Sequence, residues 1–551
     1  MIGRRSLLIL LNNLAGGFLG FFALRFVLAL PKDGFGAYAW ASSTLGIAAL
    51  ITSFGFSQAH IKRINEGTDE SSGNATFFLI KLTLTTIFTV LVIGVYLVWT
   101  LALGRGFTDA TTEPIFVTCV VIYVLLSLRQ FFDTVFQTHQ HTARAESVLM
   151  VDTVVSVLCV VLAYNLWFLS HGRETGLAFI VRPLIDAWGI NAPLDADQAG
   201  LLLAVAYCLG RGVSLAYAAV QFLVHRYPIA HARREVYDSY KVLGFPLAIV
   251  AGLGVIYANI DRFFLGYFYD KQEVARFSAP LQILTPLLFV SAAVGTLLFP
   301  QISKLDAGGD HERIRLYVHQ SERYMSMLLV PMLVLAFVFA REGINIFNEQ
   351  YVDQANVLRI LLVYVFFTVI ASPSRIVLLG LGHPRRLLWL GIINVILVTG
   401  LILFLVPAWG MGLRSLGAAI AAGAASLVSY VYVKKQTRDV AGGDYWPAGL
   451  TRQCLAGLVV LAVSWSARAS LGAAYFTRFF QLAVAAALAG LLYLGLLVLL
   501  REFRREDRDF FLDLMHPGKM AGYVGRELKP TTNAPPQPGT GPGEHPPKAK
   551  Q

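Results

Sequence analysis

Five arginines stand inside long apolar runs of this chain: Arg25, Arg129, Arg211, Arg262 and Arg375. Three aspartates share such runs, Asp133, Asp152 and Asp261. If the runs cross a bilayer, each charge near its centre costs roughly 2.5–3.5 kcal/mol and needs a reason. A guanidinium is always charged, planar and forked, and it matches the oxygens of a phosphate. An interior with more arginine than carboxylate therefore favours an anionic substrate, such as a diphosphate head group. The five arginines are the candidate substrate ligands, and the three aspartates are the candidate sites for a coupling ion.

Local context leaves alternatives open at most of these positions. Arg25 lies toward the outer end of the first run, so it either snorkels to the interface or faces a cavity. Arg129, Asp133 and Gln137 recur at i+4 and share one helix face, which must meet protein or water. A structural Arg–Asp pair and a substrate contact both fit. Arg211, between Gly210 and Gly212, has no acidic residue near it in sequence, which points to an anion ligand. Asp261 and Arg262 are adjacent and point in different directions, so they need not pair. Arg375 follows Pro373 in SPSRIV and fits an interface anchor or a ligand. Asp152 lies about one turn inside its run, as an interface residue or a cation site. The four cysteines all lie in apolar runs without a CxxC pair or Cys/His cluster, so they read as small buried hydrophobes. Neither a metal site nor a cofactor is expected.

The elements that would carry these charges are membrane helices. A span needs about 20 mostly apolar residues. Such runs lie near 6–29, 36–59, 77–101, 114–138, 147–169, 199–225, 242–266, 274–299, 322–340, 356–380, 387–406, 413–433, 451–470 and 476–500, about fourteen in all. The totals agree: 56% of residues are hydrophobic and only 14% charged, against about a quarter charged in a soluble domain. Mean hydropathy is +0.61. The net charge of +11 does not indicate nucleic acid, because the basic residues sit in short clusters between apolar runs. Arg4, Arg5, Lys62, Arg63, Arg233, Arg234, Arg385, Arg386, Lys434 and Lys435 fall on one side. The other side holds singles such as Lys32, Arg173, Lys271 and Arg341. The positive-inside rule then places both termini in the cytoplasm of a cell membrane.

An internal repeat is visible. KDGFGAYAWASSTLGIAALITSFGFSQAHIKRI, after the first run, echoes DKQEVARFSAPLQILTPLLFVSAAVGTLLFPQISKL, after the seventh. Each has a charged turn, an aromatic (Tyr38, Phe277), a late glycine (Gly55, Gly295) and a basic exit. A weaker echo joins the approaches to the sixth and twelfth runs. The expected fold is therefore an all-α membrane protein of two six-helix lobes, 1–225 and 242–435, joined by a linker at 226–241. A helix pair at 451–500 and a basic, Pro-rich, disordered tail at 501–551 follow. Repeats of this kind put the substrate site between the halves. The 170–198 segment is the longest loop on the outer side.

Several segments resemble one family. IDRFFLGYFYDKQEVARFSAPLQILTPLLFVSAAVGTLLFPQISKL is similar to the polysaccharide transporters, the Wzx-type O-antigen and teichoic-acid flippases. The residues that carry the pattern are Asp261, Arg262, Leu265, Gly266, Phe277, Ala279, Pro300 and Ser303. ALRFVLALPKDGFGAYAWA, IFNEQYVDQANVLRILL, LGLGHPRR and LVPAWGMGLRSLGAAIA also resemble family segments, so the likeness runs through about residue 435. Phe277 departs from the usual tyrosine, and Arg276 from a small residue. The resemblance implies the fold of the multidrug/oligosaccharidyl-lipid/polysaccharide (MOP) exporters. It also implies alternating-access flipping of a polyprenyl-diphosphate-linked oligosaccharide, with membrane lipids and glycan-assembly enzymes as candidate partners. The lipid II flippases are relatives in that superfamily, and Arg25 matches a helix 1 arginine common there. The alternatives are a drug/cation antiporter of the same superfamily and a membrane-embedded glycan polymerase or transferase. The first needs an acidic cavity, and the second needs carboxylates or a large outer loop.

Overall fold

In lipid every backbone polar group must find its partner inside the chain, which makes helices of long apolar runs. The computed structural model describes residues 2–503 apart from 54, 103, 105–111, 140, 188–191, 308–309, 443–448 and 473–478. Nearly all of the tail expected at 501–551 lies outside the described residues. Among the described residues there are helices and turns and no strands. The first lobe holds α1 (Ile2–Ala29), α2 (Lys32–Ala48), α3 (Phe56–Asn65), α4 (Glu70–Leu97), α5 (Thr112–Thr138), α6 (Thr142–Ser170), α7 (Ala178–Ala187) and α8 (Ala196–Val224). The second holds α9 (Arg234–Phe268), α10 (Lys271–Ala307), α11 (His311–Val338), α12 (Ala340–Phe347), α13 (Ala355–Ile370), α14 (Ser372–Gly380), α15 (Pro384–Leu405) and α16 (Arg414–Ala441). The pair α17 (Leu450–Leu471) and α18 (Phe479–Leu499) follows.

Among the described residues twelve spans are long and apolar enough to cross a membrane; α2 with α3 forms one of them, and α13 with α14 another. Helices α1 and α10, of 28 and 37 residues, fill the first and eighth places of the fourteen-helix pattern. The expected outer loop at 170–198 is not plain loop, because the amphipathic α7 sits within it. The lipid-facing surface is apolar: Val90, Leu223 and Leu499 are 65%, 71% and 77% exposed, as single side chains facing acyl chains would be. Cys119 is buried, but Cys454 is exposed on α17, which corrects the expectation that all four thiols are buried.

Two spans are interrupted. Between α2 and α3 a 3₁₀ turn (Ala49–Thr52) ends at Gly55, whose φ of 65° is open to glycine at little cost. The carbonyl of Thr52, freed by the break, accepts from the Lys81 ammonium at 2.9 Å. Lys81 is fully buried and also donates to Gln130 Oε1 at 2.5 Å, so it ties α4 to the break and to α5. The second break, between α13 and α14, falls at Pro373, which has no N–H to continue the ladder.

The lobes are joined by a polar seam at one end of the bundle. Gln350 Nε2 donates to the carbonyls of Leu28 and Leu30, each at 2.9 Å, and Asn348 Nδ2 donates to Leu28 O at 2.9 Å. Gln272 Nε2 reaches Asp33 Oδ2 at 3.2 Å. Helix α2 is the wedge. Gly34 and Gly36 are two apart and so face opposite ways. At Gly34 a Cβ would lie 2.5 Å from Ala196 O of α8, and at Gly36 it would lie 1.8 Å from Lys271 O of α10. The two elements that echo each other in sequence, α2 and α10, thus meet backbone to backbone. Gly36→Ala must then part the seam. In a background without native cysteines, thiol cross-linking of Asp33→Cys with Gln272→Cys should be efficient, and adding Gly36→Ala should cut its yield severalfold. An undiminished yield would mean the seam tolerates the methyl.

Buried ion pairs pin the C-terminal helix pair at both ends. Glu502, 4% exposed, accepts from Arg323 Nε of α11 at 2.9 Å and from Arg452 of α17 at 3.5 Å. At the far end Arg468 Nε lies 2.7 Å from the buried Glu342 of α12.

Candidate functional site

The charges of the first lobe form one network across three helices. Helix α5 presents Arg129, α6 Asp152 and α8 Arg211. Asp152 Oδ2 accepts from Arg129 Nη1 at 2.7 Å and also from Arg211 Nη1. Arg129 Nε lies 3.3 Å from Asp133 Oδ2 one turn on, and its Nη1 donates to Ser214 Oγ at 3.3 Å. Two cations and two carboxylates balance, and the groups are mostly buried. This corrects the reading of Arg211 as partnerless. Its partner comes from a helix more than 50 residues away, beyond the reach of any local pattern. It likewise shows that all three candidate coupling aspartates carry an arginine partner, since Asp261 does so in the second lobe.

There Asp261 Oδ1 accepts the backbone N–H of Arg262 at 2.7 Å and lies 3.4 Å from its Nε. The two adjacent residues, which need not pair by sequence, do pair here because the Arg262 side chain folds back along α9 and also donates to Ala258 O. Both line a cavity of about 200 Å³ among α9, α10, α13, α15 and α16, with Tyr257, Phe277 and Tyr364 in its wall. Arg375 of α14 is half-buried and within electrostatic reach of Tyr257 and Tyr364. Among the described residues the one hydrogen-bond partner of its side chain is Ser429 Oγ, at 3.4 Å, which also accepts from Asn394 Nδ2 at 3.0 Å. No carboxylate lies within ion-pair distance of Arg375 among the described residues, and its Nε is buried without a partner.

Arg25 stands apart from these groups. It is exposed and donates to Ile346 O at the end of α12, so it belongs to the seam. The structure therefore brings Arg129, Arg211, Asp133 and Asp152 together in one lobe and Arg262, Asp261 and Arg375 in the other. Tyr123 of α5 lies within electrostatic reach of both Arg211 and Arg262.

Sequence reasoning missed several buried charges, Glu342 and Glu502 among them. Lys81 was visible as a lone lysine early in the third apolar run. Glu322 of α11, 1% exposed, binds Lys434 Nζ of α16 at 2.6 Å and Ser374 Oγ at 2.8 Å. Both Glu322 and Lys434 sit at the edges of their runs, where a charge reads as a solvated end. Among the described residues no cluster of His, Cys, Asp and Glu could hold a metal ion.

A bundle with at least twelve apolar helices of membrane-spanning length defines a multi-pass membrane protein. The family model described as "Polysaccharide biosynthesis protein" matches residues 2–306, and the MatE model matches residues 246–406. The chain belongs to the polysaccharide biosynthesis protein family. A Shigella flexneri protein named as an O-antigen transporter is 26% identical over 162 residues, which is 29% of this chain and 37% of that relative. Among solved structures, lipid II flippase MurJ in its inward closed conformation is similar with TM-score 0.65 and 13% identity, covering 89% of this chain and 98% of that one. An inward-facing multidrug resistance MATE family transporter of the MOP superfamily is similar with TM-score 0.58 and 14% identity, covering 78% and 98%. At these identities the likeness to both concerns the fold.

Proposed function

We propose that this chain carries a lipid-linked oligosaccharide with a diphosphate bridge from the cytoplasmic to the outer leaflet by alternating access. The observation that supports it most is Arg375: a half-buried guanidinium with no carboxylate partner among the described residues, within electrostatic reach of Tyr257 and Tyr364, which line a cavity together with Arg262. A cation in a low-dielectric interior needs an anion, and a phosphate oxygen suits its planar fork. The same charge opposes the rival antiporter reading, because an organic cation would be repelled there. The relatives agree in kind, one named for O-antigen transport and one for lipid II flipping.

On the basic-residue asymmetry, both termini are cytoplasmic and the seam lies at the outer face of the cell membrane. The described state is then closed outward. The glycan and diphosphate would enter the interior from the cytoplasm while the lipid tail stays in the bilayer. Parting of the seam at Gln350, Asn348 and Gln272 would release them. Transport of this kind breaks no covalent bond, so the chain acts as a transporter and not as an enzyme.

The test is reconstitution of the whole chain in proteoliposomes with a polyprenyl-diphosphate oligosaccharide. An impermeant glycan-binding probe would report its transfer between leaflets. Transfer above protein-free vesicles is the expected result. Efflux of organic cations without glycolipid transfer would overturn the reading in favour of the antiporter.

A further inference from the structure

The linker between the lobes builds a second charged site, far from the arginines of the interior. After α8 the chain runs extended along the start of α4 and is held there by its backbone. Ala230 N–H donates to Ser71 O at 3.1 Å, Asn74 Nδ2 to Pro228 O at 2.9 Å, and Arg233 N–H to Thr76 Oγ1 at 3.0 Å. These bonds fix where Arg233 and Arg234 emerge. A pocket of about 560 Å³ opens between them and α4, lined by Arg233, Arg234 and Lys241 on one side and by Thr76, Leu79 and Leu84 on the other. Its one carboxylate, Asp238, lies 3.4 Å from Lys241. Neither Arg233 nor Arg234 has a carboxylate within ion-pair distance among the described residues. Asp69 at the start of α4 is held below the usual carboxylate range, first by Ser72 and then by Ser71, with Arg233 the smallest contributor. Three cations and one carboxylate leave the pocket with a net charge of +2.

The apolar wall gives the ligand its shape. Leu79 is 53% exposed, and Leu82, 44% exposed, continues the lipid-facing row of α4. From Thr76 to Leu84 the helix rises about 12 Å. Charge at the helix end gives way to hydrocarbon over that depth. A soluble phosphate or nucleotide would leave the apolar half unfilled, whereas a phospholipid has both parts in this order. Basic pockets between membrane helices hold anionic lipid head groups by the same electrostatics. We propose that this pocket binds an anionic phospholipid, its phosphodiester on Arg233 and Arg234 and one acyl chain along Leu79 and Leu84. The site sits at the base of α9, where Tyr240 OH meets His60 Nδ1 of the first lobe at 2.9 Å. The lipid would therefore brace the helix that connects the two lobes.

The test uses the whole chain in detergent, with melting temperature followed as phosphatidylglycerol or phosphatidylcholine of identical acyl chains is added. Phosphatidylglycerol should raise the melting temperature at concentrations where phosphatidylcholine does not. Arg233→Gln/Arg234→Gln should weaken the apparent affinity by about tenfold or more, as expected for lost charge-assisted contacts. Arg233→Lys/Arg234→Lys should keep the preference. Leu79→Trp, which fills the apolar half and leaves every charge, should also abolish it. Equal responses to the two lipids would overturn the proposal. So would an unchanged preference in the glutamine variant, or the same shift from inorganic phosphate or glycerol phosphate alone.

Discussion

Asp152→Ala is expected to be the most damaging single substitution in the first lobe. It removes the carboxylate that accepts from both Arg129 and Arg211, and leaves two guanidinium groups facing each other with Asp133 alone to balance them. Breaking a buried pair by deleting one partner costs roughly 3–5 kcal/mol, because the remaining charge stays desolvated. The expected readout is a lower melting temperature in detergent and a smaller yield of monodisperse protein. Because the damage comes from unbalanced charge, Asp152→Ala/Arg211→Met should recover part of the loss, and the recovery would measure the coupling. The comparison variant is Leu158→Ala on the same helix, whose side chain is 58% exposed to lipid. An Asp152→Ala protein as stable as that variant would show that the network does not hold α5, α6 and α8 together.

The second large effect is on function and should leave stability intact. Arg375→Gln removes a guanidinium that no carboxylate neutralises, so no opposite charge is orphaned. A hydrogen bond to a charged group contributes about 1.5–3 kcal/mol, and each 1.4 kcal/mol is about tenfold. Loss of the phosphate contact should therefore lower glycolipid transfer in proteoliposomes by about tenfold to a hundredfold, with an unchanged melting temperature. Arg375→Lys keeps the charge but not the planar fork and should fall between the two. Arg262→Gln should do less than Arg375→Gln, because Asp261 already neutralises part of the Arg262 charge. Wild-type transfer by Arg375→Gln would remove Arg375 from the substrate path, and a collapsed melting temperature would make it structural.

The sequence by itself determined the order of the apolar runs, the two echoing halves and most of the intramembrane charges that need a reason. Hydropathy and the length of a bilayer span are local quantities, so fourteen apolar runs read as fourteen helices whatever their neighbours are. Charges near the middle of an apolar run were also legible, since a charge is conspicuous there, whereas Lys81, Glu322, Glu342 and Glu502 were not. Only the tertiary structure decided which of them are neutralised. Arg211 and Arg375 look alike in sequence: each is a lone cation in a helix with no acidic neighbour. Packing of α6 against α8 brings Asp152 to Arg211, while among the described residues the Arg375 side chain meets Ser429 Oγ and lies within electrostatic reach of Tyr257 and Tyr364. The seam was equally hidden, because nothing in the sequence around Gly34 and Gly36 shows that α8 and α10 close on their two faces. Ion pairing and close approach are properties of two helices at once. The periodicity of one helix states which side a residue faces and says nothing of what waits on that side.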